Sequence, residues 1–210
     1  EDPYRPLYNR VMSGEYPPGS IFKIITALAA LEEGLVDFDE KFDCTGSDPI
    51  IPDKKCAIWY STGRGHGEQN LIESIKNSCN ITFYELGRRI GVDKLAEYAK
   101  AFGFGSPTGI NISPGDKGGL VPTREWKLES RSLRWVEPAE TMDFSIGQGF
   151  FNATLLQLAA AYSAIANGGT LYKPLIVKAV NSSTGDCVRS FEPQVVREIH
   201  ISPTTEMILK

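Results

Sequence analysis

The chain has 210 residues, 41% of them hydrophobic and 23% charged, and its formal net charge is −4. That length and apolar content are enough for one domain with one sizeable core. The net negative charge gives no reason to expect a nucleic-acid partner. The sequence has no run of 18 apolar residues, so it contains no candidate transmembrane helix.

The first predicted element is a mostly apolar helix that begins near Ser20 and stops at Gly34. Lys23 interrupts this helix and lies on the same face as Ser20, because residues three apart are neighbours on a helix. Burial lowers the pKa of a lysine, and a neutral amine can activate an adjacent serine hydroxyl as a nucleophile. The alternative interpretation is that Ser20 only caps the helix.

Cysteines and a histidine are concentrated in the next stretch of the chain, most of it in the irregular segment 35–70. Zinc prefers nitrogen and sulfur ligands, and the stretch supplies a Cys3His set, although its spacing is loose: Cys44, Cys56, His66 and Cys79. A Cys44–Cys56 disulfide is one alternative, and buried unpaired thiols are another. The sequence therefore predicts a structural zinc site and leaves both alternatives open.

Residues 71–104 are predicted to form two or three helices. A short helix up to about Asn77 and a second helix from about Asn80 would leave Ser78 and Cys79 in a tight turn. Such a junction can aim the Ser78 hydroxyl and the Asn80 amide into a cleft, although helix capping is the more common explanation of Ser-x-Asn. A zinc ion held by Cys79 would support this turn rather than act as a Lewis acid.

The remainder of the chain is predicted to be rich in loops with a few regular elements. We expect, in chain order, a helix over 92–102, a loop-rich segment over 105–152, a helix over 154–167 and short strands over 171–180 and 195–201. Pro174 favours an edge strand or a strand start. Cys187 follows Gly185 and Asp186, which predicts that it lies in a turn.

Together, Ser20-x-x-Lys23 and Ser78-x-Asn80 resemble two active-site motifs of penicillin-binding proteins and class A β-lactamases. Longer matches extend the resemblance to the transpeptidase domain of class B penicillin-binding proteins, closest to their elongation type, over Tyr16–Lys23, Gly65–Gly67, Gly115–Lys127 and Ser145–Gly149. The resemblance implies one transpeptidase domain over residues 1–210. It also implies an α/β (α+β) penicilloyl-serine transferase, or β-lactamase-like, fold, with a helical lobe and part of an antiparallel sheet.

The chemistry implied by this resemblance is the cross-linking of peptidoglycan stem peptides. Ser20 would attack a D-Ala-D-Ala carbonyl and form an acyl-enzyme, with Lys23 as its base. Ser78 would pass a proton to the leaving amine, and Asn80 would bind the substrate backbone and help to hold Lys23. β-Lactams would acylate Ser20, and the chemistry would need no cofactor. The resemblance further implies cell-wall synthesis proteins as partners and an extracytoplasmic location, with a membrane anchor before Glu1.

The third motif of the family, Lys-Thr-Gly, does not occur in the sequence. Lys117-Gly118-Gly119 lies too early in the chain to replace it, so we expect the domain to be incomplete at its C-terminus. A class A β-lactamase is a second possibility, but no glutamate after Ser78 has the asparagine four residues later that this class requires. A non-catalytic homologue that binds or scaffolds is a third possibility, favoured only by the missing motif.

Overall fold

The structure, a computed structural model, describes residues 7–110, 112 and 115–209. Within them a 3-10 turn at Gly19–Phe22 leads into nine α-helices: α1 (Lys23–Glu32), α2 (Ala57–Thr62), α3 (Leu71–Lys76), α4 (Asn80–Ile90), α5 (Val92–Ala101), α6 (Arg124–Arg131), α7 (Ala139–Ser145), α8 (Leu155–Ala166) and α9 (Pro203–Leu209). The strands are β1 (Phe42–Cys44), β2 (Gly67–Gln69), β3 (Thr170–Tyr172), β4 (Ala179–Asn181), β5 (Cys187–Ser190) and β6 (Val195–Glu198). These described strands pair antiparallel as β1–β2, β3–β6 and β4–β5.

Helix α1 lies in the core, as its apolar sequence predicts. Every residue from Ile25 to Ala30 is buried, and α1 packs against α4, α5 and α9. Its N-terminal end is held by Phe22, whose ring lies 4.6 Å from that of Phe151 and 5.5 Å from that of Phe144. Burying one such ring contributes about 1.5–3 kcal/mol, so this aromatic cluster fixes where the helix begins.

Helices α4 and α7 make a very close contact at Gly87. A Cβ atom added to Gly87 would lie 2.6 Å from the Cβ of Ser145, so a larger residue would force the helices apart. The hydroxyl of Thr26 on α1 donates a 2.7 Å hydrogen bond to the carbonyl of Ser145. Three helices therefore meet here, and this packing fixes the orientation of α4, whose first residue is Asn80.

Most of the predicted helices are present. The helices expected near Ser20, over 92–102 and over 154–167 correspond to α1, α5 and α8. Thr154 begins α8 with a capping box, because its side chain accepts from the Gln157 N–H and the Gln157 side chain accepts from the Thr154 N–H. The mixture of helices with short antiparallel strands agrees with the predicted α+β class.

Three predictions for the second half of the chain were wrong in detail. The loop-rich segment 105–152 contains α6 and α7, which are joined by an ion pair between buried Lys127 and Glu140. The strand predicted over 171–180 is divided into β3 and β4, because Pro174 lacks the N–H that a strand ladder needs. Cys187 is the first residue of β5 and does not lie in the preceding turn.

None of the helices within the described residues combines the length and apolar character that a membrane crossing requires.

Candidate active site

Ser20 lies in the 3-10 turn that precedes α1, and it is exposed. The Gly19 N–H donates a 2.8 Å hydrogen bond to the Gly147 carbonyl on one side of this turn. On the other side, the Tyr162 hydroxyl donates a 2.6 Å bond to the Ile21 carbonyl. Gly147 has φ +73°, and an added Cβ would lie 2.3 Å from the Gly19 carbonyl oxygen, so only glycine fits there.

A cavity of about 580 Å³ opens beside Ser20. Its lining combines three polar residues of the two serine motifs, Ser20, Lys23 and Ser78, with mainly apolar residues from the 3-10 turn, α1, α3 and α8: Ile21, Ile24, Ile75, Tyr162, Ile165 and Ala166. The cavity therefore presents a hydroxyl, an amine and a second hydroxyl to a bound molecule within largely apolar walls.

Lys23 is only 2% exposed, and three oxygen atoms surround its amine. The Nζ atom donates to the Ser78 carbonyl at 2.7 Å, to the Ser78 Oγ at 3.1 Å and to the Asn80 Oδ1 at 2.7 Å. Burial lowers the pKa of Lys23 to about 8, although the nearby Cys56 and Cys79 oppose this shift. At pH 7 about one Lys23 in ten is then neutral and able to accept a proton.

Ser78 lies in the turn between α3 and α4, with a left-handed backbone at φ 50°. This conformation costs a residue other than glycine about 1 kcal/mol. The turn is held by hydrogen bonds from the Ser78 N–H to the Ile75 carbonyl and from the Cys79 N–H to the Ser74 carbonyl, at 3.0 and 2.9 Å. The strained backbone directs both the Ser78 carbonyl and its hydroxyl toward Lys23.

Asn80 begins α4, and hydrogen bonds fix the orientation of its side-chain amide. The Oδ1 atom accepts from Lys23, and the Nδ2 atom donates to the Lys55 carbonyl at 3.0 Å. If the amide were reversed, its NH2 group would face the Lys23 amine, which is also a donor. The hydrogen-bond partners therefore determine which atom of Asn80 is Oδ1 and which is Nδ2. The Asn80 N–H also donates to the Cys56 sulfur at 3.3 Å.

The structure thus connects Lys23, Ser78 and Asn80 through hydrogen bonds and places Ser20 in the cavity that Lys23 and Ser78 also line. Among the described residues, the Ser20 hydroxyl has no hydrogen-bond partner. The sequence did not predict that the Lys55 carbonyl orients Asn80, because every residue has a carbonyl group. Gly147 could have been found, since it lies in the Ser145–Gly149 match.

The predicted Cys3His set also converges, directly behind the Ser78–Asn80 turn. The ligand atoms of Cys44, Cys56, His66 and Cys79 all lie within 4.8 Å of one another. The Cys56 sulfur is 3.5 Å from the His66 Nδ1 and 4.0 Å from the Cys79 sulfur. Cys44 and Cys56 are free thiols, so the alternative of a disulfide between them is not found in the structure.

Two local structures bring these four residues together. Pairing of β1 with β2 places Cys44 opposite Gly67, the residue after His66. Cys56 and Cys79 are the N-cap residues of α2 and α4. Hydrogen bonds from the Cys44 and Cys79 thiols lower the pKa of Cys56, which favours a thiolate in the cluster.

Comparison with known proteins gives a consistent result over the whole chain. Residues 1–210 match the family "Transpeptidase: Penicillin binding protein transpeptidase domain". The chain is 38% identical over 187 residues to the peptidoglycan D,D-transpeptidase MrdA of Acinetobacter baumannii. The aligned region covers 89% of this chain and 27% of that relative. The chain therefore spans about a quarter of the length of this curated relative.

Two solved structures have a closely similar fold. PBP2 of Pseudomonas aeruginosa, in complex with WCK 5153, superimposes with a TM-score of 0.83 at 32% identity, over 98% of this chain and 45% of that one. PBP2 of Helicobacter pylori, in complex with MreC, gives a TM-score of 0.79 at 27% identity, over 100% of this chain and 36% of that one. These similarities confirm the fold class and the PBP2-like resemblance predicted from the sequence.

Proposed function

The chain belongs to the family of penicillin-binding protein transpeptidase domains, and we propose that it carries the acylation site of a serine D,D-transpeptidase that cross-links peptidoglycan stem peptides. The observation that carries the proposal is the hydrogen bonding of Lys23 to Ser78 and Asn80 beside the Ser20 cavity. A buried amine with a lowered pKa supports a role as general base.

In the proposed reaction, neutral Lys23 removes the Ser20 proton as the Ser20 oxygen attacks the carbonyl carbon of the penultimate D-Ala. The bond to the terminal D-Ala breaks, and its amine receives a proton through the Ser78 hydroxyl. An amine of a neighbouring stem peptide then attacks the Ser20 ester. The new amide bond forms as the ester C–O bond breaks, and the amine's proton passes through Lys23 to the Ser20 oxygen, which restores the serine. Asn80 holds Lys23 and contacts the substrate backbone, and the Ser20 N–H supplies one oxyanion donor.

A β-lactam should acylate the same serine, because it presents a reactive amide in place of D-Ala-D-Ala. The intact protein is incubated with benzylpenicillin, and the mass increase is measured and mapped to a peptide. The adduct is expected on Ser20 and absent from Ser20→Ala. A Ser163→Ala variant should be labelled like the wild type, since Ser163 is exposed and its hydroxyl bonds only within α8. A stable adduct on any other residue contradicts the proposal.

We also propose that the Cys3His cluster binds one structural zinc ion. Tetrahedral zinc with bonds of about 2.3 Å to sulfur and about 2.0–2.1 Å to nitrogen separates its ligand atoms by roughly 3.5–3.8 Å. The distance of 3.5 Å from the Cys56 sulfur to the His66 Nδ1 falls in this range, and the distance of 4.0 Å to the Cys79 sulfur lies just above it, so small side-chain shifts would complete the tetrahedron. The ion would fix the backbone of Cys79 between Ser78 and Asn80 and take no part in the chemistry.

Partners and location follow from the proposed substrate. Peptidoglycan lies outside the cytoplasmic membrane, so we propose that the protein acts at the extracytoplasmic face. The similar H. pylori PBP2 was solved in complex with MreC, which supports cell-wall synthesis proteins as partners of this chain. β-Lactams would be its inhibitors.

A further inference from the structure

A hairpin formed by residues 46–56 delivers two hydrogen-bond acceptors to Asn80. In this 46–56 hairpin, Ser47 pairs antiparallel with Lys55, and the Cys56 N–H donates to the Gly46 carbonyl at 2.9 Å. The Lys55 carbonyl accepts from the Asn80 side chain, and the Cys56 sulfur accepts from the Asn80 N–H. The position of the hairpin therefore determines how Asn80 is held.

A buried carboxylate anchors this hairpin. Asp48 is 1% exposed, and its Oδ1 accepts from the N–H groups of Ile50 and Ile51 at 3.0 and 2.9 Å. Its Oδ2 accepts from the Arg88 guanidinium at 2.7 Å. One side chain therefore shapes the tip of the hairpin and ties it to α4, the helix that begins at Asn80.

Arg88 connects the hairpin to more than one element. Its second terminal nitrogen donates to Glu85 at 2.6 Å, and its Nη1 also lies 3.4 Å from the sulfur of Met142 on α7. A buried ion pair contributes little net stability compared with apolar residues of similar size, but its geometry is directional. Asp48 and Arg88 are therefore better suited to holding a position than to stabilising the fold.

We propose that Asp48 is a positioning residue for acyl transfer at Ser20. Through Arg88 it holds the 46–56 hairpin against α4, so that the Lys55 carbonyl orients the Asn80 amide whose oxygen contacts Lys23. The inference rests on the proposed transpeptidase function, because it concerns the same reaction. It adds Asp48, which lies outside the serine motifs, as a residue that controls the orientation of the Asn80 side-chain amide.

The test measures the second-order rate of acylation by benzylpenicillin in the intact protein, after mass mapping has established labelling of wild-type Ser20. Asp48→Asn removes the charge while keeping the size, and Asp48→Asn with Arg88→Gln leaves no unpaired charge. Glu40→Gln is the matched control, because it removes a 2.7 Å ion pair to neighbouring Arg89 that does not involve the hairpin. Asp48→Asn should be slowed about tenfold to a hundredfold, and Glu40→Gln less than about twofold.

A double-mutant cycle separates positioning through Asn80 from general structural damage. In an Asn80→Ala background, adding Asp48→Asn should change the rate less than about threefold, because the group it positions is already absent. If the rate losses of Asp48→Asn and Asn80→Ala multiply in the double variant, the proposal is overturned. A wild-type rate in either folded Asp48 variant, or failure of both variants to fold, also overturns it. Absence of labelling in the wild type contradicts the proposed function itself.

Discussion

The Lys23 amine lies 2.7 Å from the side-chain oxygen of Asn80, so the first residue of α1 is joined directly to the first residue of α4. Both residues lie at the beginning of a buried helix, and neither helix end can move without disturbing the other. The amine and its acceptors are therefore preorganised before any substrate binds.

Replacing Lys23 with methionine should remove the proposed base and leave the fold intact. Acylation should slow by about 10²–10⁴-fold, the usual contribution of a positioned base. The free energy of unfolding should not fall in proportion to the loss of acylation rate, because methionine places no charge in the protein interior. Stopped-flow acylation and urea denaturation measure the two quantities. Lys94→Met, on the exposed face of α5, is the control, and an equal loss of rate there would refute the assignment.

The rate of acylation should rise with pH and reach half of its maximum near pH 8. Burial lowers the pKa of Lys23 to about 8, and only the neutral amine can accept the Ser20 proton. The rate should therefore fall about tenfold for each pH unit below 7 and level off above about pH 9. Acylation rates measured between pH 6 and pH 10 test this expectation. A flat profile, or a rate that falls as the pH rises, contradicts it.

Two substitutions at Ser78 should separate backbone strain from hydroxyl chemistry. Ser78→Gly and Ser78→Ala both remove the hydroxyl, so both should slow acylation to a similar extent. Only glycine relieves the left-handed backbone at φ 50°, so Ser78→Gly should be about 1 kcal/mol more stable than Ser78→Ala. Chemical denaturation of the two variants gives the difference. Equal stabilities would show that the turn is not strained.

The purified protein should contain about one zinc ion per chain, as measured by elemental mass spectrometry. Cys44→Ser should lose the ion, melt at a lower temperature and acylate more slowly, because the Ser78–Asn80 turn loses its support. Cys187→Ser is the matched control, since Cys187 is exposed on β5 and lies outside the cluster. Full zinc content in Cys44→Ser, or loss of zinc in Cys187→Ser, argues against the site.

The sequence predicts the side chains of the candidate site better than it predicts the groups that hold those side chains in position. Ser20, Lys23, Ser78 and Asn80 can be identified because their chemistry depends on residue type and short spacing. The contribution of the Lys55 carbonyl depends on a hairpin anchored by Asp48 to a residue 40 positions away. Such a contact has no local pattern in the sequence.

The errors in the fold have a similar physical cause. Lys127 has a charge typical of an exposed loop, but it is 3% exposed and pairs with Glu140 on the following helix. No short-range sequence pattern in segment 105–152 predicts this pairing between α6 and α7. By contrast, Gly103 ends α5 through its backbone conformation and Thr154 begins α8 through capping, and both effects are local. The sequence therefore predicted both helices well.

The ring of Phe22, two residues after Ser20, is enclosed by Phe104, Phe144 and Phe151. The turn that carries the proposed nucleophile is therefore anchored in the aromatic core of the protein. When a bulky acyl group is attached to Ser20, this anchored turn cannot shift to make room for it. Any crowding must be relieved by the acyl group itself or by the side chains that line the cavity, so the shape of the inhibitor, rather than adaptation of the serine turn, decides how well it fits.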